Sequence, residues 1–336
     1  MDVERLGHYI EGTMVRVARF AWGLLLYDVG VAAWGTYVRA TGSGAGCGRH
    51  WPLCNGQVVP IAPRIETIVE LSHRLSSGGA LVLTAALLVW SFRAFPRGHM
   101  VRRGAAAAMA FMVAEAAIGA ALVLFELVAH DASSKRALSI SLHLVNTFFL
   151  LAATALTAWW ASGFEPIRIR GQGVVVWTTG APLVATLFVG ISGALTALGD
   201  TLFPAASIGS GIVQDFSATA HFLVRLRAVH PLFAAATAIL IVVAGSATRA
   251  RRPSRSVRLL SRATTLLVVG EVSAGIVNLV MLAPVFLQIT HLVIAQLLWI
   301  ALILLSSASL AEPSLRPRLA LGGMHAAHEG ASAKPS

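Results

Sequence analysis

The chain has 336 residues, of which 56% are hydrophobic and only 12% charged, with a formal net charge of +11 and a mean hydropathy of +0.74. An ordinary soluble domain carries about 25% charged residues, so the composition excludes a soluble globular enzyme, a disordered chain and a coiled coil. The basic residues fall in short stretches between apolar runs, which suits membrane topology and argues against a nucleic-acid partner.

A polar, mixed-charge start over 1–16 precedes the first apolar run, near 17–38. That run is too long for a signal peptide and lacks its small-residue cleavage site, so it reads as a retained helix. Further runs near 67–92, 104–127, 138–161, 174–198, 225–247, 263–283 and 289–311 bring the expected transmembrane helices to eight, each near the roughly 20 residues that cross a bilayer. The end of the chain, 312–336, rich in Gly, Ala and Ser, reads as a disordered tail. With a cytoplasmic N-terminus, Arg5, Arg16 and Arg19, then Arg93, Arg97, Arg102 and Arg103, then Arg168 and Arg170 fall on the inner side. Arg249, Arg251, Arg252, Arg255, Arg258 and Arg262, with Arg316, Arg318 and Lys334, join them and make up most of the 26 basic residues. The positive-inside rule therefore predicts both termini in the cytoplasm. No Arg- and Ser-rich presequence precedes the first span, which favours a prokaryotic cell membrane over the mitochondrial inner membrane.

The spans pair by sequence. Glu115 and Gly119 in the third are matched by Glu271 and Gly275 in the seventh. His143-Leu144-Val145 in the fourth is matched by His291-Leu292-Val293 in the eighth. Gly35 and Gly42 near the end of the first are matched by Gly193 and Gly199 near the end of the fifth. The chain thus reads as two four-helix halves, 17–161 and 174–311, joined by a cytoplasmic linker, 162–173. Four is even, so the expected repeat is parallel, with a pseudo-twofold axis along the membrane normal.

Of eleven histidines, His8, His50, His99, His130, His221, His325 and His328 fall in tails, loops or loop edges, where a solvated ring is the default. His73, His143, His230 and His291 fall in the four even-numbered spans, each near the outer end, and form one layer. A lone intramembrane histidine is more often a hydrogen-bonded packing residue than a ligand, but four at one depth, two per half, favour ligation. Two facing imidazoles in a four-helix bundle supply both axial ligands of a haem, whereas two histidines leave a zinc or copper site short of ligands. One haem per half is the expected count. Haem propionates suit the positive N-terminal ends of these helices. Arg74, Arg225 and Arg227 are candidate partners for them, or ordinary interfacial anchors.

The halves differ at one informative place: Glu70 stands three residues before His73, and Arg227 three before His230. A carboxylate beside a haem can hold or move a proton or stabilise a developing cation, so the first half reads as the chemical one, unless Glu70 merely caps its helix. Cys47 and Cys54 share the long outer loop after the first span with six residues between them. Compartment and spacing favour a disulfide there over half a zinc site or two free thiols.

These residues carry a family resemblance. Gly35-Thr36-Tyr37-Val38-Arg39-Ala40-Thr41-Gly42-Ser43-Gly44 is followed by Cys47, by Trp51-Pro52-Leu53-Cys54-Asn55-Gly56, and by Glu70-Leu71-Ser72-His73-Arg74. This order resembles the signature of haem A synthase, and the likeness extends through His143, Asn278 and His291 to Trp299, over roughly 17–311. The resemblance implies an eight-helix protein that oxidises a methyl substituent of haem O to the formyl group of haem A. It implies haem O between His73 and His143 with Glu70 acting beside the reacting edge, and haem b as prosthetic group between His230 and His291. The outer-loop cysteines correspond to the family's pair. Conversion to an aldehyde removes four electrons, through alcohol and hydrated-aldehyde stages, to an electron partner the sequence does not name. A farnesyltransferase that makes haem O is the implied partner enzyme.

The chain departs from the family pattern in two ways. Pro231 follows His230 where Arg74 follows His73, so the sixth helix is expected to begin near His230 or to kink there. Glu115 and Glu271 stand where neutral glutamine is expected, so each should be protonated or face a polar cavity. Two other readings compete: a di-haem b-type electron-transfer cytochrome, which needs no Glu70, and a transporter, which would place its polar residues in broken helices at mid-membrane.

Overall fold

The computed structural model describes residues 3–311, so the tail expected at 312–336 lies outside the described residues. Among the described residues the chain is all helical. It runs α1 Val3–Ala40, α2 Ile65–Ala94, α3 Met100–Leu124, α4 Ser134–Ala161, α5 Val174–Leu202, α6 Ile208–Asp215, α7 Phe222–Arg227, α8 His230–Arg251, α9 Arg255–Val280 and α10 Val285–Leu310. Eight segments are long and apolar enough to cross a membrane, with α7 and α8 together forming the sixth. The protein is a multi-pass membrane protein, as its composition requires.

Local chemistry accounts for where the helices depart from the apolar runs. The first helix begins at Val3 rather than near 17, since no proline interrupts the polar start and backbone hydrogen bonding does not stop where apolarity does. α4 begins at Ser134 rather than 138 because the Ser133 side chain accepts from Arg136 N–H and caps it. α3 stops at Leu124, short of 127, where Glu126 takes a left-handed φ of 57°. The sixth span breaks after Arg227 and restarts at His230, with Pro231 in the first turn of α8, where a missing N–H removes no helix bond. The kink or late start expected from Pro231 is what the chain adopts. The short helices α6 and α7 were not foreseen in the apolar pattern. Ser207 and Ser210 form a capping box at the start of α6, a signal too short to stand out beside membrane spans.

α4 and α10 are the most enclosed spans, each half buried, while the other six are less so. They meet where Trp299 stacks on Phe148 at 5.1 Å between ring centroids and donates its indole N–H to the Phe148 carbonyl at 2.6 Å. Val17, Ala21, Leu24 and Leu25 of α1 and Leu151, Ala155 and Ala158 of α4 share one core with Trp299 and Ile300. Arg39 ties α1 to the second group of helices: it donates to the Ala197 carbonyl, the Thr201 hydroxyl and the Gln288 amide oxygen. The segment between α4 and α5 folds back onto the end of α10, where Arg168 N–H donates to the Leu310 carbonyl at 2.8 Å.

Candidate functional site: four histidines on four glycines

Each even-numbered span carries its histidine within its first ten residues, and each ring lies against a glycine of the span before it. A Cβ added at Gly35 of α1 would come within 3.0 Å of His73 in α2. One at Gly119 of α3 would lie 3.9 Å from His143 in α4, one at Gly193 of α5 3.0 Å from His230 at the start of α8, and one at Gly275 of α9 3.2 Å from His291 in α10. At Gly35, Gly193 and Gly275 the missing side chain makes room for the ring, while at Gly119 a Cβ would make only ordinary contact. His73 and His143 lie within electrostatic range of each other, and so do His230 and His291.

Three of the rings have their Nδ1 side engaged. His143 Nδ1 lies 3.2 Å from Glu115 Oε1 and His291 Nδ1 lies 3.3 Å from Glu271 Oε1. These are close contacts whose angle falls short of an aligned hydrogen bond. His230 Nδ1 sits 2.9 Å from the Ser192 hydroxyl, and His73 Nδ1 is buried with no partner. A carboxylate or hydroxyl on one ring nitrogen leaves Nε2 as the free ligand atom and holds the ring in orientation. The His143 and His291 side chains remain 30% and 25% exposed, so neither is sealed into the core. Glu115 also accepts from Asn146 and Thr147. The unexpected acids at 115 and 271 are thus met by imidazoles, and Glu115 by two further donors.

Glu70 is nearly buried and turned toward the outer loop. It accepts from Cys47 N–H at 2.7 Å and pairs with Arg74 one turn along α2. Arg74 also donates to the carbonyls of His50 and Leu53. Cys47 and Cys54 form a disulfide, with their Cα atoms 4.4 Å apart. Gly46, just before it, presses so closely on the Glu66 carbonyl that a side chain there would collide. The disulfide loop, Glu70 and Arg74 are therefore one clamp over the end of α2, one turn from His73.

The second half has its own clamp, built from other residues. Arg227 donates from Nε to Asp215 at 2.9 Å, and from Nη1 to Asp200 at 3.1 Å and to the Phe203 carbonyl. With its guanidinium engaged in this way, Arg227 acts as a loop anchor; Arg225, two residues before it, is exposed. Sequence reasoning missed both acid partners, because Asp200 and Asp215 lie 27 and 12 residues away. It also passed over Asp28 and Arg39, which an inspection of lone charges within apolar runs would have flagged. Among the described residues no three His, Cys, Asp or Glu side chains converge as a metal centre.

Histidines set against glycines near one end of the even-numbered spans mark the chain as an eight-span, all-helical membrane protein with a layer of polar rings in its bundles. Residues 18–303 match the family of cytochrome oxidase assembly proteins, COX15-CtaA, and the chain belongs to this family, that of haem A synthase. It is 48% identical over 315 residues, 94% of its own length, to proteins of two Thermus thermophilus strains named protoheme IX farnesyltransferase, and it spans about half of their length. Proteins named heme A synthase from Bacillus mycoides and Bacillus cereus are 45% identical over 91 residues, 27% of this chain and 29% of theirs.

Proposed function

We propose that the protein is a haem A synthase of the cell membrane, converting a methyl group of haem O to the formyl group of haem A for terminal oxidases. His73 and His143 grip the substrate, haem O, and His230 and His291 ligate a resident haem b. The observation that carries this reading is four imidazoles set against four glycines, His73 within electrostatic range of His143 and His230 of His291, with Nε2 left as the ligand atom in the three rings whose Nδ1 is engaged. The residues fit the group: the donor set is imidazole, and the glycine cradles leave the space that a side chain would fill. Haem b, when bound, supplies a one-electron redox centre.

The remaining work belongs to the chain. The histidines and their glycines fix the substrate's plane, and apolar helices exclude bulk water from it. Glu70, one turn from His73, holds or moves a proton at its carboxyl oxygens, with Arg74 and Cys47 N–H setting its direction. The matched glycine and histidine positions support an internal repeat, halves 17–161 and 174–311, with both termini in the cytoplasm. In this reading Arg225 remains the outer cation free for a propionate, while Arg74 serves Glu70 and the disulfide loop and Arg227 serves its own loop.

The Thermus names suit an enzyme that works beside a farnesyltransferase. This chain accounts for about half of those proteins, leaving the other half for the transfer that makes haem O. The test is haem extraction and chromatography after expression beside a haem O source. Haem b with haem A, and loss of haem A in Glu70→Gln and His73→Ala, are the expected results. Haem b alone in two bis-histidine sites would make the protein a di-haem cytochrome, and no haem at all would return it to the transporter reading.

A further inference from the structure

Arg39 stands in the last turn of α1, one turn beyond Gly35, yet its guanidinium bonds to the other half. Nη1 donates to the Ala197 carbonyl at 2.9 Å and to the Thr201 hydroxyl at 3.0 Å, and Nη2 donates to the Gln288 amide oxygen at 2.8 Å. Gln288 is itself held, because its Nε2 donates to the Ala283 carbonyl at 2.7 Å. Ala197 lies four residues after Gly193, the glycine under His230, and Gln288 lies three before His291. On a helix both offsets are about one turn along the same face. Both run past the histidine layer toward the nearer helix end. An arginine of the first half is therefore seated about one turn from the second pair of histidines.

These contacts leave the charge of Arg39 unmet. All three acceptors are neutral. Asp200, the acid within electrostatic range of Arg39, is held by Arg227 Nη1 at 3.1 Å. Arg136 brings a second cation to the same place. It is 3% exposed, its Nη1 donates to the backbone carbonyls of Ala129 and Asp131, and its Nε is buried without a partner. The carboxylate of Asp131 turns instead to the Ser133 N–H and hydroxyl. Arg136 lies within electrostatic range of Arg39, and Ala137 beside it packs in one cluster with Leu198, the neighbour of Ala197. Two guanidiniums bonded to neutral acceptors lack the counter-charge that enclosed cations need.

A guanidinium has five N–H donors. Three serve Ala197, Thr201 and Gln288, which leaves the Nε–H and one Nη2–H, and Arg39 is only partly buried. That remaining edge suits a carboxylate gripped by two parallel hydrogen bonds. We propose that Arg39 is a carboxylate clamp of the second site, holding one propionate of the haem whose ligands are His230 and His291. This rests on reading those two histidines as the haem b site. The second site is then completed by a residue of the first half, so the halves share one ligand-binding unit across their seam. A cation on the propionate also offsets a negative charge near the iron, which favours the ferrous form.

The full-length chain, made in haem-deficient cells with His73→Ala to weaken the first site, tests this by titration with haem b and with its dimethyl ester. The ester lacks both carboxylates. With Arg39 in place, haem b should bind about tenfold or more tighter than the ester, and Arg39→Met should narrow that gap. The other propionate and its partner are common to both proteins and drop out of the comparison. Resonance Raman of the haem b complex should show the propionate bending band displaced in Arg39→Met, and a redox titration should give a lower potential. Should Arg39→Met fail to accumulate, Arg39→Lys, a cation without the two-pronged edge, should displace the same band. An ester gap and a propionate band that Arg39→Met or Arg39→Lys leaves unaltered, beside weakened haem b binding in His291→Ala, overturn the clamp alone. Unweakened haem b binding in both His230→Ala and His291→Ala overturns the functional reading and the clamp with it.

Discussion

At the scale of single residues, the space for His73 and that for His230 are each made by a glycine, and that makes the two sites separable. Gly35→Val would drive a branched side chain into His73, and Gly193→Val into His230, at positions where even a Cβ comes to 3.0 Å. Gly35→Val is expected to abolish haem O retention while the second haem stays, and Gly193→Val to do the reverse, read from haem content and Soret absorbance of each variant. Equal loss of both haems in either variant would contradict the cradles. Glu271→Ala, which removes the group that orients His291, should weaken haem b binding about 10–100-fold. The four histidines were legible in the sequence because polar groups in hydrocarbon are costly and rarely idle, and their depth followed from counting along the helices. The partners of Arg39 were not legible. Its contact with Gln288 spans 249 residues, and apolar periodicity says nothing about which distant helix lies alongside.

At the scale of elements, helix ends and their clamps decide where the histidines stand. His99 caps α3 by accepting Val101 N–H on Nδ1 at 3.2 Å, which requires a neutral ring, and partial burial lowers its pKa from 6.5. The folded state therefore binds fewer protons at this site than the unfolded one. The stability His99 contributes is full above pH 6.5 and is lost as pH falls from there toward the lowered folded value. Thermal unfolding in detergent should show this acid-side loss, and His99→Asn, which caps without titrating, should lessen it; an unchanged slope would contradict the cap. Arg227 makes the larger element-scale contribution. Arg227→Ala leaves Asp200 and Asp215, 23% and 19% exposed, without their cation, and should cost about 3 kcal/mol, measured as a lowered unfolding midpoint. The eight spans were legible as apolar runs, and Pro231 foretold the break before α8. The small caps α6 and α7 were not, because short helices held by distant acids leave no apolar period.

At the scale of the whole molecule, the more enclosed α4 and α10 each carry one histidine of a pair, while α2 and α8 bring the other from the flanks. That division gives each pair one histidine on a well-anchored central helix and one on a more exposed helix. An even number of spans places the start of α1 and the end of α10 on one side, and reporter fusions at Ser254 should report the cytoplasm if the basic residues there set the orientation. Near-infrared magnetic circular dichroism of the protein purified with haem O available tests the central claim most directly, because it reads axial ligands. The account predicts two bis-imidazole haems, with His143→Met converting one signal to a histidine–methionine type and His291→Met converting the other. A single haem, or one signal altered alike by both substitutions, would contradict it.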